Sequence, residues 1–178
     1  MRNLFLTLII LPFSLIASNK YATFKNIKSE LNPNQGFLAV VIDNSEGVEF
    51  YKFKLKKIDG FFTAFTFKKL SLKKQYALIK LNQGSYFWSK GSLRDQSHFI
   101  SKNKEDTQFE IKAQSINYFG DLIINYDKQS KSLSMIYENR MSMMYNKLKE
   151  EAPIAFYKYP LVLSSKYPDP FAKFYHDL

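Results

Sequence analysis

Chemistry in this chain would have to come from carboxylates, lysines, methionines and aromatic rings, because the more reactive side chains are scarce. There is no cysteine, which excludes disulfides, thiolate metal sites, cysteine nucleophiles and a lipid-bearing cysteine. His98 and His176 are the two histidines, too few for most zinc chemistry or for any mechanism that clusters imidazoles. A Ser-His-Asp triad could draw only on those two, and no Gly-x-Ser-x-Gly elbow is present. Glycoside hydrolysis needs two carboxylates facing one cleft. The acids Asp43, Glu46, Glu49, Asp59, Asp95, Glu105, Asp106, Glu110, Asp121 and Asp127 mostly fall at turns or strand ends beside lysines, where solvated turn residues are the simpler reading. Asp121, after Gly120, is weighed as an acid or ligand and read as structural. Met135, Met141, Met143 and Met144 are close in sequence, as in soft copper sites, but helical spacing assigns two of them to a core stripe. His176 reads as a tail residue and His98 as a partly buried edge residue.

Two patterns remain as candidate binding surfaces. From Val48 the residues alternate, so that Tyr51, Phe53 and Leu55 point one way and Lys52, Lys54 and Lys56 the other. The three lysines form a positive ridge ~14 Å long at ~3.4 Å per residue. Lys57 is expected to extend it, and Lys68, Lys69, Lys73 and Lys74 to widen it. An anionic partner would dock there; the competing reading is that the lysines keep the sheet soluble and guard its edge. Tyr86 and Trp88 also share a strand face. Facing outward they would stack on sugar rings or a partner's side chains; facing inward they are ordinary core, the favoured reading. Lys158-Tyr159-Pro160 and Lys166-Tyr167-Pro168 repeat an aromatic anchor, read as stapling the C-terminal segment to its own domain.

The elements that must position these residues are mostly strands. Of 178 residues, 46% are hydrophobic and 24% charged, which fits a globular domain and excludes a disordered or multi-span membrane chain. Residues 1–17 have a positive start and an apolar run from Leu4, the layout of a secretory signal peptide, so export to the periplasm or beyond is expected. Residues 18–35 form a polar extension. Gly36–Asp43 is a continuous apolar run of strand length, hence a central strand buried on both faces. Alternating segments follow at about ten-residue intervals, with turns at 44–47, at Asp59-Gly60 and at 128–131. Asn82-Gln83-Gly84 reads as a hairpin in which Gly84 supplies positive φ, and Gly120 as a bulge or close approach. Residues 90–106 read as a long loop with one short edge strand. Met141, Met144, Tyr145 and Leu148 make one apolar stripe on a helix over 139–150, ended by Pro153. Residues 151–178, with four prolines, are expected as an extended arm whose strands, if any, lie at an edge. The expectation is an antiparallel two-sheet β-sandwich over 36–150, with one C-terminal helix and that Pro-rich arm.

Gly36-Phe37-Leu38-Ala39-Val40-Val41-Ile42, then Lys80 through Trp88, then Ile116 through Leu122, then a terminal helix, give an order of phrases that resembles uncharacterised exported bacterial envelope proteins. Those carry a transthyretin-like or carboxypeptidase-regulatory-like β-sandwich. The resemblance implies a sandwich scaffold over roughly 36–150 and no catalytic residues.

Charge limits the partners. Lysine and arginine total 26 against 16 acids, a formal charge of +10, and the arginines are only Arg2, Arg94 and Arg140. Base and phosphate readout leans on the bidentate guanidinium, so nucleic acid is not expected. The reading is a non-catalytic exported envelope protein that binds another protein or an anionic surface component, with peripheral membrane contact possible and no cofactor or metal. The alternative is a polysaccharide-binding or polysaccharide-cleaving envelope enzyme using carboxylates.

Overall fold

A single strand organises the molecule. The computed structural model describes residues 30–70, 72–93, 98–100, 107–127, 129–130, 132–163 and 168–169. The expected signal segment, most of the 18–35 extension, and residues 164–167 and 170–178 of the C-terminal arm, His176 among them, lie outside them. Strand β1 (Gln35–Asp43) is buried on both faces. Leu38, Val40 and Ile42 point into one hydrophobic core, and Phe37, Ala39 and Val41 into another. Side chains removed from water to this degree contribute about 1.5–3 kcal/mol each, which is why this run fixes the centre of the fold.

The strands that follow are β2 (Phe50–Lys57), β3 (Thr63–Leu70), β4 (Lys74–Asn82), β5 (Gly84–Leu93), β6 (His98–Ile100), β7 (Gln108–Ile111), β8 (Ile116–Tyr118), β9 (Asp121–Asp127) and β10 (Ser132–Glu138). Helices α1 (Met141–Glu151) and α2 (Pro153–Lys158) come next, then β11 (Leu161–Leu163). The first sheet runs β10-β9-β1-β8-β11, with β4 also paired to β1; the second runs β3-β2-β5-β6, with β7 also paired to β5. The core between the sheets holds Leu38, Phe53, Trp88 and Phe119; the core outside the first sheet holds Met144, Leu148, Ala155 and Tyr159 of the helical segment. The result is two sheets face to face, with the helices covering the far side of the first. Among the described residues no helix is long and apolar enough to cross a membrane.

The two-sheet, mainly β expectation holds, and four details differ. The first sheet is mixed, not antiparallel: β1 pairs in parallel with β8 and β9, and β8 in parallel with β11. β8 and β9 are two halves of one interrupted strand beside β1, and Gly120 between them has φ +122°. Gln83-Gly84 is not a hairpin; it carries the chain from β4 in the first sheet to β5 in the second, and Gly84 does take positive φ, +132°. β5 continues through Leu93, past the start of the expected loop. Pro153 opens α2 at its first turn instead of leading into an extended arm, since a residue there needs no N–H for the helix.

In α1, Met144 and Leu148 are buried as the stripe requires and Met141 packs beside them, but Tyr145 is 46% exposed. Its ring meets Phe156 of α2 edge-on at 4.8 Å, so it joins the two helices instead of the sheet. The first turn of α1 is also held by Asp169, whose Oδ2 accepts from Ser142 N at 2.7 Å and Ser142 Oγ at 2.6 Å. A carboxylate suits a helix N-terminus. Tyr159 is buried, its hydroxyl accepting from Leu31 N at 3.1 Å and its ring edge-on to Phe37, so this anchor does fasten the segment to its own domain. Its counterpart Tyr167 lies outside the described residues. β11 sits at the sheet edge, as expected.

Candidate functional site

The lysine ridge lies on the outer face of the second sheet. On β2, Phe50, Phe53 and Leu55 are buried inward, while Lys52, Lys54 and Lys56 are partly exposed. The alternation is broken at Tyr51, where the register with β5 shifts and the ring turns outward, 54% exposed; the expected inward place of Tyr51 is therefore wrong. A bulge adds one residue and reverses the side on which it falls.

Register decides what surrounds the ridge. Lys52 lies across from Lys68 of β3, Lys54 across from Thr66, and Lys56 across from Thr63. On the other side, Lys54 lies across from Lys90 of β5 and Lys52 across from Ser92. Directly opposed side chains share a face, so Lys52, Lys54, Lys56, Lys68 and Lys90 form one basic field over three strands. Among the described residues none of the five is in an ion pair.

Two expected extensions of the ridge do not occur. Lys57 follows Lys56 on the strand and so faces the other way, with its stem laid across Gly84; a Cβ on Gly84 would stand 2.6 Å from Lys57 Cε. Lys74 belongs to the first sheet and pairs with Asp121. Lys90, which was not expected, joins the field because β5 runs on to Leu93 and pairs it with Lys54.

Tyr86 and Trp88 do not form a binding platform. They are 2% and 1% exposed. Trp88 stacks on Phe53 at 4.9 Å and meets Phe67, Phe109 and Phe119 within 6.5 Å. Tyr86 stacks on Phe109, donates its hydroxyl to Asn82 O at 2.7 Å, and is pushed up in pKa by burial. Both belong to the core between the sheets, which takes the inward face of β5.

Asp121 is the carboxylate whose setting differs from a solvated turn. Its side chain is 4% exposed, accepts from the Tyr118 hydroxyl at 2.7 Å, and faces Lys74 Nζ at 3.0 Å and Arg140 Nη1 at 3.9 Å. Arg140 also pairs with Glu138. Burial, and then the Asp121 charge and hydrogen bond, push the Tyr118 hydroxyl up, so it remains a donor to the carboxylate. A cleft of about 290 Å³ opens beside this group, between the first sheet and α1, lined among others by Tyr76, Met144, Lys147 and Glu150. Lys147 stands 4.1 Å over the Tyr76 ring and pairs with Glu151. A carboxylate faced by two cations and a phenol ties β9 to β4 and to the start of α1.

Asp43 and Asp127 behave as turn acids, while Asp95, Glu105 and Asp106 lie outside the described residues. Burial pushes Asp43 up, but hydrogen bonds from Ser45 and the charges of Lys74 and Arg140 outweigh it and hold the carboxyl below its ordinary value. Asp127 is held low by hydrogen bonds from Ser130 and Gln129. The methionines do not converge: Met135 packs against the core between the sheets and Met144 against the helical core, on opposite faces of the first sheet. Among the described residues no group of three or more histidine, aspartate or glutamate side chains could hold a metal ion. Comparison of the chain with known protein families, with characterised proteins and with solved structures finds no match in any of the three.

Proposed function

We propose that this is a non-catalytic exported envelope protein that docks an anionic surface component through the basic outer face of its second sheet. The observation that carries the reading is the registered field of Lys52, Lys54, Lys56, Lys68 and Lys90, with no carboxylate paired to any of them among the described residues. Like charges directly opposed across strands destabilise a sheet. An anion brought onto the face relieves that repulsion, so the same lysines that weaken the free sheet strengthen the complex. Export rests on the apolar leader-like residues 4–17.

The test compares two charge reversals of equal size. K52E/K54E/K56E is set against K147E/K149E/K158E, whose lysines lie on the two helices covering the far side of the first sheet, where Lys147 and Lys158 give up partly exposed ion pairs worth little to stability. The reading expects retention on an immobilised polyanion, and its salt dependence, to fall in the first variant and to change little in the second. Equal loss in both would mean that only net charge matters, and that the field serves solubility and edge protection.

A further inference from the structure

The β2–β3 hairpin ends in Ile58-Asp59-Gly60-Phe61-Phe62, and its two phenylalanine rings stand in solvent at 94% and 86% exposure. Ile58 is partly exposed beside them, and Thr63 and Ala64 at the start of β3 are exposed as well. The two rings lie past the last backbone contact with β5, in which Ile58 N donates to Ser85 O at 2.9 Å. Turn chemistry does not call for this. An Asp-Gly turn needs glycine and a short polar residue, and gains nothing from two adjacent phenylalanines. Single exposed apolar residues are ordinary, but a contiguous apolar tip rimmed by charge marks an interaction surface.

Position and charge choose the occupant: both rings stand in solvent in the turn between β2 and β3. At its base the basic field begins: Lys56 lies opposite Thr63, and Lys54 and Lys52 follow at ~7 Å intervals along the strand. Asp59 is the one carboxylate of the loop. Apolar rings leading a row of lysines match a bilayer surface, where the rings enter the boundary between headgroups and acyl chains, ~5–10 Å deep, and the ammonium groups meet lipid phosphates.

We infer that Phe61 and Phe62 insert into an anionic lipid leaflet while the Lys52–Lys56 ridge lies against its headgroups. The inference rests on the reading of the lysine face as an anion-docking face, and it names the partner as a membrane.

Phe61→Trp makes the test local. The chain has one tryptophan, Trp88, sealed in the core, so a change in emission on binding reports on residue 61 and not on the apolar segment near the N-terminus. The probes are vesicles of phosphatidylcholine alone and of phosphatidylcholine with phosphatidylglycerol at roughly 7:3, made with brominated acyl chains. The expected result is a blue shift and quenching of F61W on the anionic vesicles, weak on neutral ones, with Trp88 in the parent unchanged. F61S/F62S should lower vesicle partition by about tenfold or more without loss of folding, since both rings are exposed. If F61W binds anionic vesicles without quenching, and K52E/K54E/K56E abolishes that binding, insertion is refuted and the anion-docking face stands. Retention on a polyanion without binding to anionic vesicles would likewise overturn the membrane and leave the face. Loss of neither on charge reversal would remove the docking face itself.

Discussion

Replacing Asn117 by aspartate alters one atom group of nearly equal size and should be among the most damaging single changes in the chain. Asn117 lies on β8, 1% exposed. Its Nδ2 donates to Phe37 O at 3.0 Å, Lys112 O at 3.1 Å and Ser115 O at 3.3 Å, while Oδ1 accepts from Lys112 N at 2.9 Å. The side chain thus fastens the start of β1 to the β7–β8 connection. Aspartate keeps the acceptor and turns the donor into an oxygen that faces three carbonyls. The two amide hydrogens, shared among those three carbonyls, are lost at about 1 kcal/mol net each, and at least one buried carbonyl is left without its donor at a further ~1–3 kcal/mol. The expected cost at neutral pH is about 3–5 kcal/mol, a large share of the ~5–15 kcal/mol that holds such a domain. A drop of roughly 10 °C in melting temperature follows.

The sign of the pH dependence is equally specific. Burial and the three carbonyls oppose ionisation of the new carboxyl, so its folded pKa lies above the unfolded value of about 3.9. Between those two values the folded chain binds a proton that the unfolded chain has released. Stability therefore falls as pH rises through that window, by up to about 1.4 kcal/mol per unit, and is restored on acidification. Urea unfolding of N117D and the parent, each followed by circular dichroism at about pH 4 and about pH 7, measures the difference directly. A deficit below about 1 kcal/mol at neutral pH, or one that does not shrink in acid, would refute the assignment of Asn117 as a saturated buried donor.

Two further changes probe other parts of the fold. Gly120→Ala forces an L side chain to φ +122° with its Cβ 2.9 Å from Glu138 O, and should cost about 1–3 kcal/mol or more in the same unfolding assay; a neutral result would mean that the β8–β9 break relaxes freely. Asp43→Asn removes a carboxyl whose folded pKa is depressed, so the parent's advantage should be full above about pH 3.9 and disappear as pH falls through the folded value. Difference titration of the two chains' stability checks this, and an advantage that grows on acidification would contradict it.

What could be read from the chain alone followed from period and composition. β1 was visible because eight consecutive residues from Gly36 to Asp43 offer no polar face, and only a strand between two layers can bury both sides of such a run. The inward set Phe53 and Leu55 and the outward set Lys52, Lys54 and Lys56 were visible because strand alternation is a local property. Met144 and Leu148 were placed by helical spacing in the same way. Positive φ at Gly84 was legible, but its purpose was not, since a glycine that closes a hairpin and one that passes between sheets look alike in sequence.

The candidate face was half legible. Three lysines at spacing two name a ridge, whereas Lys68 and Lys90 join it only through strand register, across 16 and 36 residues of chain from Lys52 and Lys54. The phenylalanine tip was missed because Phe61 continues the alternation of Phe65 and Phe67; the signal available was Phe61-Phe62 directly after an Asp-Gly turn, where no core can reach. Asp121 was noticed beside Gly120, but Lys74 and Arg140, which face it, come from the start of β4 and the edge of α1.

The sequence by itself determined which residues alternate, where the chain must turn, that the fold is mainly β, and that cysteine and clustered histidine chemistry are absent. Those are consequences of local geometry and of residue types, and they need no knowledge of what lies alongside. Tertiary structure alone decided the parallel pairing of β1 with β8 and β9, the burial of Tyr86 and Trp88, the second helix beginning at Pro153, and the bulge that turns Tyr51 outward. Each of these depends on which distant segment covers a face or supplies a partner for a backbone N–H. Period two tells a strand that it has two sides, and only packing tells it which side is wet.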